Sequence, residues 1–286
     1  MKLTTLFIFI FSLSCFAQNN TDISLFMRAD STEYLNEVSS KSGDLFKSIG
    51  HHGPAIENEW LAFRLYFDKK AAIDIYSKAN PGLELKQYRW YPSAKEQQEG
   101  AGADYYKVGS TVGLGGIRLW NGHKVIPLNP VSNRSVRVVK ERTSSFMEML
   151  SEDVPYNGKK IDVLVRVTVY SGIREAKVEA FALCDEPVQF VTGINYHKGQ
   201  NINKKENAII VWGLHPEDVV AEKVEIGAAI LFNPKNFCDF LDDGKQRLIV
   251  SKPTKHIETW ISSSNSKEQY LNTESLFINY TKSLIP

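Results

Sequence analysis

The stretch His51-His52-Gly53-Pro54-Ala55-Ile56-Glu57-Asn58-Glu59-Trp60 runs straight into Leu61-Ala62-Phe63-Arg64-Leu65-Tyr66-Phe67-Asp68, and its reading decides the fold. By strict alternation Leu61, Phe63, Leu65 and Phe67 share one side of a strand, while Ala62, Arg64, Tyr66 and Asp68 share the other. Four large apolar groups in phase define a core face. The opposite face offers a cation, a phenol and a carboxylate on a rigid element, with two imidazoles close in sequence. Such a set suits an anionic, hydroxyl-rich ligand and holds the parts needed for proton transfer.

The same alternation continues along most of the chain. Ile161, Val163, Val165, Val167 and Val169 interleave with Asp162, Leu164, Arg166, Thr168 and Tyr170. Further strands are expected over 174–182, 188–196, 208–214, 224–231, 247–251 and 256–262. Breaks such as Ser171-Gly172, Asp185-Glu186-Pro187 and Asp242-Asp243-Gly244 separate many of them. Short alternating strands at this spacing predict a mainly β protein built as an antiparallel β-sandwich. Two flanking helices are expected. One follows Asp30-Ser31-Thr32 and carries Tyr34, Leu35, Val38 and Leu45. The other, near the C-terminus, carries Tyr270, Leu271, Leu276, Phe277, Tyr280 and Leu284. Asn201–Asn207 reads as a polar loop tip.

Residues 1–17 read as an export signal: Lys2, a mostly apolar run from Leu3 to Leu13, and Cys15-Phe16-Ala17 before Gln18 as a small-x-small cleavage site. That run is short for a membrane span. A lipid anchor at Cys15 is disfavoured by Ser12, where such signals carry a larger aliphatic residue. Residues 18–286 are then read as one β-sandwich catalytic domain, periplasmic or secreted. Loss of Lys2 takes the formal charge from +1 to 0, so no global field draws the protein to nucleic acid or anionic membrane. Any anionic ligand must be held by local cations. Cys184 and Cys238 allow one disulfide or two free thiols.

Several motif readings fail. Gly109-Ser110-Thr111-Val112-Gly113-Leu114-Gly115-Gly116 lacks the Gly-Lys-Ser/Thr ending of a nucleotide loop, and its glycines read as bulges or sites of close backbone approach. The six histidines (His51, His52, His123, His197, His215 and His256) show no metal-ligand spacing, so no metal or cofactor is expected. No Gly-x-Ser-x-Gly elbow is present. A glycoside hydrolase needs only two carboxylates at a set separation, and Glu57, Glu59 and Asp68 keep that reading open.

Lys86-Gln87-Tyr88-Arg89-Trp90-Tyr91, Tyr105-Tyr106-Lys107, Asn195-Tyr196-His197-Lys198 and Trp212-Gly213-Leu214-His215 interleave flat rings with cations and polar groups. Rings stack on sugar faces, and cations pair with carboxylate or sulfate. Taken singly, each ring serves a sandwich core equally well. A non-catalytic carbohydrate-binding protein fits these residues as an alternative.

The run His51–Asp74, the segment Ala103-Asp104-Tyr105-Tyr106-Lys107-Val108-Gly109 with Gly113-Leu114-Gly115-Gly116-Ile117, and Trp212-Gly213-Leu214-His215-Pro216 together resemble a family of exported bacterial proteins. That family was long known only as a domain of unknown function. Its genes often sit beside polysaccharide-degrading enzymes, and it includes dehydratases of ulvan oligosaccharides. The resemblance covers nearly all of the chain after the signal. It implies a lyase that removes water from a uronic acid at the non-reducing end, leaving a 4,5-unsaturated uronyl group. It also suggests a large sandwich of the mutarotase and lyase type.

Such a reaction requires a neutralised carboxylate, a base at C5 and a proton for the departing C4 hydroxyl. Arg64 is expected to meet the carboxylate, since a guanidinium matches its geometry. His52 and Tyr66 are expected to form the acid–base pair. His51, Lys107, Tyr106, His123, His197 and Trp212 are expected to bind substrate. Each has a plainer reading: Arg64 paired with Asp68 or Glu57, Tyr66 packed across strands, and His51 and His52 satisfying turn carbonyls.

Overall fold

The computed structural model describes residues 20–89, 91–216 and 222–284. The export signal expected over 1–17 lies outside them. Among the described residues, eighteen strands form three sheets in which every ladder between named strands is antiparallel. The largest has nine strands, ordered Asn201–Lys204, Ala208–Leu214, Glu225–Leu231, His256–Asn265, Ala176–Leu183, Lys159–Tyr170, Ser144–Tyr156, Asn133–Lys140 and Glu37–Ser40. A four-stranded sheet comprises Thr21–Ser24, Ala55–Asn58, Ala62–Leu65 and Ile73–Tyr76. A five-stranded sheet runs Phe237–Asp242, Gln246–Ser251, Gln189–Asn195, Arg118–Trp120 and Val125–Ile126.

The two smaller sheets together cover one face of the large one. Thr21–Ser24 and Ala55–Asn58 lie over the strands at 133–140, 144–156 and 159–170, while Gln189–Asn195 lies over 208–214 and 225–231. One continuous core results, with Phe63, Leu65 and Ile75 from the first small sheet, Phe190 and Ile194 from the second, and Val163, Val165, Val167 and Val169 from the large one. The alternation read from the sequence therefore puts the expected residues inside. On the outer face, Glu148 stands between Arg137 and Arg166 on neighbouring strands and pairs with both, a cross-strand charge arrangement that suits a solvated sheet face.

The Gly113–Gly116 stretch crosses from one small sheet to the other, as bridges from Gly113 to Ile73 and from Leu114 to Ile194. A Cβ at Gly113, whose φ is +69°, would stand 1.9 Å from the Ile73 carbonyl oxygen, so close backbone approach is what these glycines provide.

Three expectations are corrected. The segment after Asp30 forms no helix. Asp30 closes a local turn by accepting from the Thr32 amide, and Glu37–Ser40 instead extends the nine-stranded sheet by pairing with Asn133–Lys140. A sheet edge gives these residues inter-strand hydrogen bonds, which outweigh a weak helical periodicity. Asn201–Lys204 is an edge strand, not part of a loop tip. The C-terminal helix is present at Glu274–Ser283, capped by Thr273, so Tyr270 and Leu271 precede it. A short helix at Ala94–Gln98, held by a reciprocal Ser93–Glu96 capping box, was not anticipated. Cys184 and Cys238 are both free thiols.

Candidate active site

The second face of the strand Ala62–Leu65 turns away from the sandwich core, yet it is buried. Register pairs Arg64 with Ala55 on one side and Asp74 on the other. Residues 77–89 and 91–108 close over this face and bring Tyr91 and Asp104 with them. Two polar clusters form beneath the cover.

The first cluster is saturated. Glu57 accepts from Lys78 Nζ and from the amides of Glu84 and Leu85, while Glu84 accepts from Tyr76 and the Gly102 amide. These bonds anchor the covering segment and commit both Glu57 oxygens to it. Of the other two carboxylates considered for glycosidic chemistry, Asp68 accepts from the Lys70 and Ala71 amides in a turn outside this cluster, and Glu59 accepts from the Gly172 amide. Arg64 pairs with none of the three.

The second cluster is centred on Arg64, which is 1% exposed. Its Nη2 meets both Asp74 and Asp104, its Nη1 donates to the Tyr91 hydroxyl at 3.4 Å, and its Nε has no partner. Burial alone would lower its pKa, but Asp104 and Asp74 outweigh that and hold it well above the ordinary arginine value. The guanidinium expected to clamp a substrate carboxylate is thus enclosed, with Asp74 and Asp104 of the protein itself as its counter-charges. Asp74 also accepts the Tyr66 hydroxyl at 2.6 Å. Burial, with Asp104 close by, pushes Asp74 up to about 7 despite Arg64 and Tyr66. Burial and Asp74 raise Tyr66 far above the ordinary phenol value, so it remains protonated.

His51 and His52 reach this cluster through an unusual turn. Both take left-handed backbone conformations, with φ of 55° and 62°, a costly geometry for non-glycine residues. Gly53 follows, where a Cβ would lie 1.9 Å from the Leu65 carbonyl oxygen. The turn can therefore press against the strand only because that residue is glycine. His51 points inward, 3.2 Å from Ser24 Oγ and edge-on to Phe26. Burial drives it down to about 3, so it is neutral. His52 is half-buried, stacks on Phe46 with ring centroids 3.9 Å apart, and lies edge-on to Tyr66 at 5.9 Å. Its Nδ1 is 2.9 Å from the Phe46 carbonyl, which can only accept. Nδ1 therefore carries the proton and Nε2 the lone pair. Burial lowers the His52 pKa, and the cations Arg28 and Arg64 lower it further.

A third group adjoins from the end of strand Ala208–Leu214. His215 Nδ1 accepts the Lys107 amide at 3.0 Å, and the Lys107 carbonyl accepts from Asn195 and lies 2.9 Å from His197 Nε2. The His215 ring sits 4.4 Å from that of Tyr106, and burial drives His215 down to about 3. Burial, with the Asp74 carboxylate adding to it, raises the Tyr106 hydroxyl well above the ordinary phenol value. His197 and His215 thus grip the Lys107 peptide and fix the Tyr105-Tyr106-Lys107 segment.

The expected residues therefore separate. His51, His52, Arg64 and Tyr66 gather in one cluster, with Tyr106, His197 and the Lys107 backbone beside it. His123 does not join them; it occupies an exposed hairpin tip at the edge of the five-stranded sheet. Trp212 stands apart from this cluster, on the other face of its strand. Alternation sends Val211 inward and Trp212 to the outer face, where it is buried against Phe277 of the C-terminal helix. No site role was legible for Asp74, Asp104 or Arg28, and Tyr91 was legible only as one ring of the aromatic and basic set. Asp74 carried no local signal, because a carboxylate between Ile73 and Ile75 falls on the face opposite the core, as half-buried Asp162 does between Ile161 and Val163.

Compared with curated proteins, the chain finds no match. Solved structures of low similarity include a protein assigned as an aldose 1-epimerase from Klebsiella pneumoniae, with TM-score 0.42, 10% identity, and coverage of 92% of this chain and 95% of that one. A 4-alpha-glucanotransferase from Thermococcus litoralis has TM-score 0.37 and 12% identity over 74% of this chain and 37% of its own. A mutant heparan sulfate lyase from Pedobacter heparinus has TM-score 0.37 and 8% identity over 74% of this chain and 34% of its own. These are distant likenesses to carbohydrate-active enzymes, and at such scores they carry no inference about chemistry. Over residues 14–284 the sequence matches a family model, and the chain belongs to the family described as the domain of unknown function DUF4861.

Proposed function

We propose that this protein is a carbon–oxygen lyase. It removes water from the non-reducing-end uronic acid of ulvan-type sulfated oligosaccharides and leaves a 4,5-unsaturated uronyl end. The observation that carries this reading is the juxtaposition of His52 and Tyr66, ring to ring at 5.9 Å, with Asp74 hydrogen-bonded behind the phenol. Environments that push two titratable groups apart assign an acid and a base. His52, neutral with its Nε2 lone pair, is the base, and Tyr66, kept protonated, is the acid.

His52 takes the C5 proton, and the C5–H electron pair becomes the second bond between C4 and C5. The C4–O bond breaks, and the hydroxyl departs with the Tyr66 proton as water. Asp74, protonated below about 7, returns a proton to Tyr66, and solvent exchange resets His52 and Asp74. One C–H and one C–O bond are lost, one π bond and one water are gained, and no oxidant is needed. The proposal includes export, to the periplasm or the medium.

The test is product analysis after incubating the purified protein with saturated uronyl-terminated oligosaccharides. Dehydration lowers the mass by one water and raises ultraviolet absorbance without shortening the chain. Shortened chains would establish a glycoside hydrolase instead, and bound but unchanged oligosaccharide a binding protein.

A further inference from the structure

The outer face of the nine-stranded sheet, across the sandwich core from the Arg64 cluster, carries a groove of about 1060 Å³. Its floor is the strand His256–Asn265, and its walls are the turn before Ala208, the turn at 233–236 and the end of the C-terminal helix at Leu284. We infer that this groove is a second saccharide site, which takes a neutral, hydroxyl-rich oligosaccharide. Its chemistry does not depend on the proposed dehydration.

Alternation along the strand sets the floor. Ile257 and Ile261 point into the core, so His256, Glu258 and Trp260 share the outer face, and all three line the groove. His256 and Trp260 stand about 13 Å apart at strand rise, far enough to meet different sugar units of one chain. The Trp260 ring is half-buried beside Tyr170, with centroids 6.0 Å apart, and its Nε1 donates to Glu258 Oε1 at 3.1 Å. That bond fixes the indole. Glu258 Oε2 meets only Lys177, at 3.9 Å and beyond hydrogen-bond reach, and so remains an acceptor between the two rings. His256 stacks on Phe181 with centroids 4.5 Å apart, while 43% of its side chain is exposed. Two flat rings flanking a carboxylate on one rigid strand suit a sugar chain: the rings cover its C–H faces and the carboxylate accepts its hydroxyls.

The walls select for charge. Glu175 and Glu206 join Glu258, while the basic groups lining the groove are Lys235 and His256. Glu175 accepts the Tyr280 hydroxyl, which fixes it to the C-terminal helix. A polyanion would set its charges against these carboxylates, whereas a neutral chain uses them as hydroxyl acceptors. Asn207 and Asn236 add amide donors and acceptors. The volume lies at the upper limit of the roughly 300–1000 Å³ typical of small-molecule sites, which favours several sugar units over one.

The test is calorimetric titration of the full-length protein with xylohexaose, cellohexaose and mannohexaose, and with hexagalacturonate as a polyanion of equal length. At least one neutral hexasaccharide is expected to bind, and Trp260→Ala is expected to weaken it at least about tenfold, as loss of an aromatic anchor does. Trp260→Tyr should restore most of that affinity, and hexagalacturonate binding should be the same in wild type and Trp260→Ala. A melting curve like that of wild type separates loss of the ring from loss of the fold. Should Trp260→Ala fail to fold, His256→Ala, a change at an exposed side chain, is expected to weaken the same ligand at least about threefold. Failure of all three neutral probes to bind overturns the assignment, as does neutral binding that is undiminished in folded Trp260→Ala and His256→Ala. A loss of hexagalacturonate affinity in Trp260→Ala as large as that of the neutral ligand overturns the choice of a neutral chain.

Discussion

Tyr66 and Asp74 are joined by a 2.6 Å hydrogen bond from the phenol to Oδ2, the same carboxylate oxygen that receives Arg64 Nη2. The Tyr66 amide also donates to the Ala72 carbonyl at 3.0 Å, so the short turn between the strands fixes both ends of the contact. A phenol this strongly biased toward its protonated form is a poor acid alone. It becomes a competent relay when the group behind it can resupply the proton.

That relay sets a pH profile. His52 acts only when neutral, and burial, Arg28 and Arg64 hold its pKa below 6.5. Activity is therefore lost on acidification only below that value. Asp74 acts only when protonated, and with its pKa raised to about 7 activity declines as pH rises through that point. A bell-shaped kcat/KM is the expected result, with its acid limb below the ordinary imidazole value and its alkaline limb at about 7. Asp74→Asn should lower the maximum and remove the alkaline decline, and His52→Ala should cut turnover at least about a hundredfold at every pH.

Arg64→Met tests whether this arginine neutralises its neighbours or binds ligand. Removing it leaves Asp74 and Asp104 side by side without their counter-charge, and breaking a buried pair in this way costs about 3–5 kcal/mol. Denaturant titration should show that loss directly. Unchanged stability with a selectively raised KM would return Arg64 to the role of substrate clamp.

Trp212→Ala should destabilise the fold by about 3–5 kcal/mol, the usual range for deleting a buried aromatic, because its ring fills the space beneath Phe277. Where the variant remains folded, KM should match wild type. A raised KM at unchanged stability would restore Trp212 to the ligand site.

The sheets were legible because period-two alternation is imposed by burial, and Val163 to Val169 show it without interruption. The face of the strand carrying Arg64 and Tyr66 was legible for the same reason. What surrounds that face was not. Asp104 and Tyr91 arrive on a covering segment whose path depends on the Glu57–Lys78 anchor, a contact between residues that no local pattern connects. Arg28 approaches His52 across a sequence gap of 24 residues, and only the folded turn shows that Arg64 has its charge already met. The face that Trp212 occupies was not legible, because a ring beside glycine and histidine looks the same on either side of a sheet.

The most direct test of the account is the turnover of Tyr66→Phe on a saturated uronyl-terminated oligosaccharide, followed by the appearance of the unsaturated end. The substitution keeps the ring against Phe46 and removes only the hydroxyl. The account predicts a fall in kcat of at least about a hundredfold, with KM little changed and the circular dichroism spectrum unaltered. Full turnover in a folded Tyr66→Phe protein would contradict it.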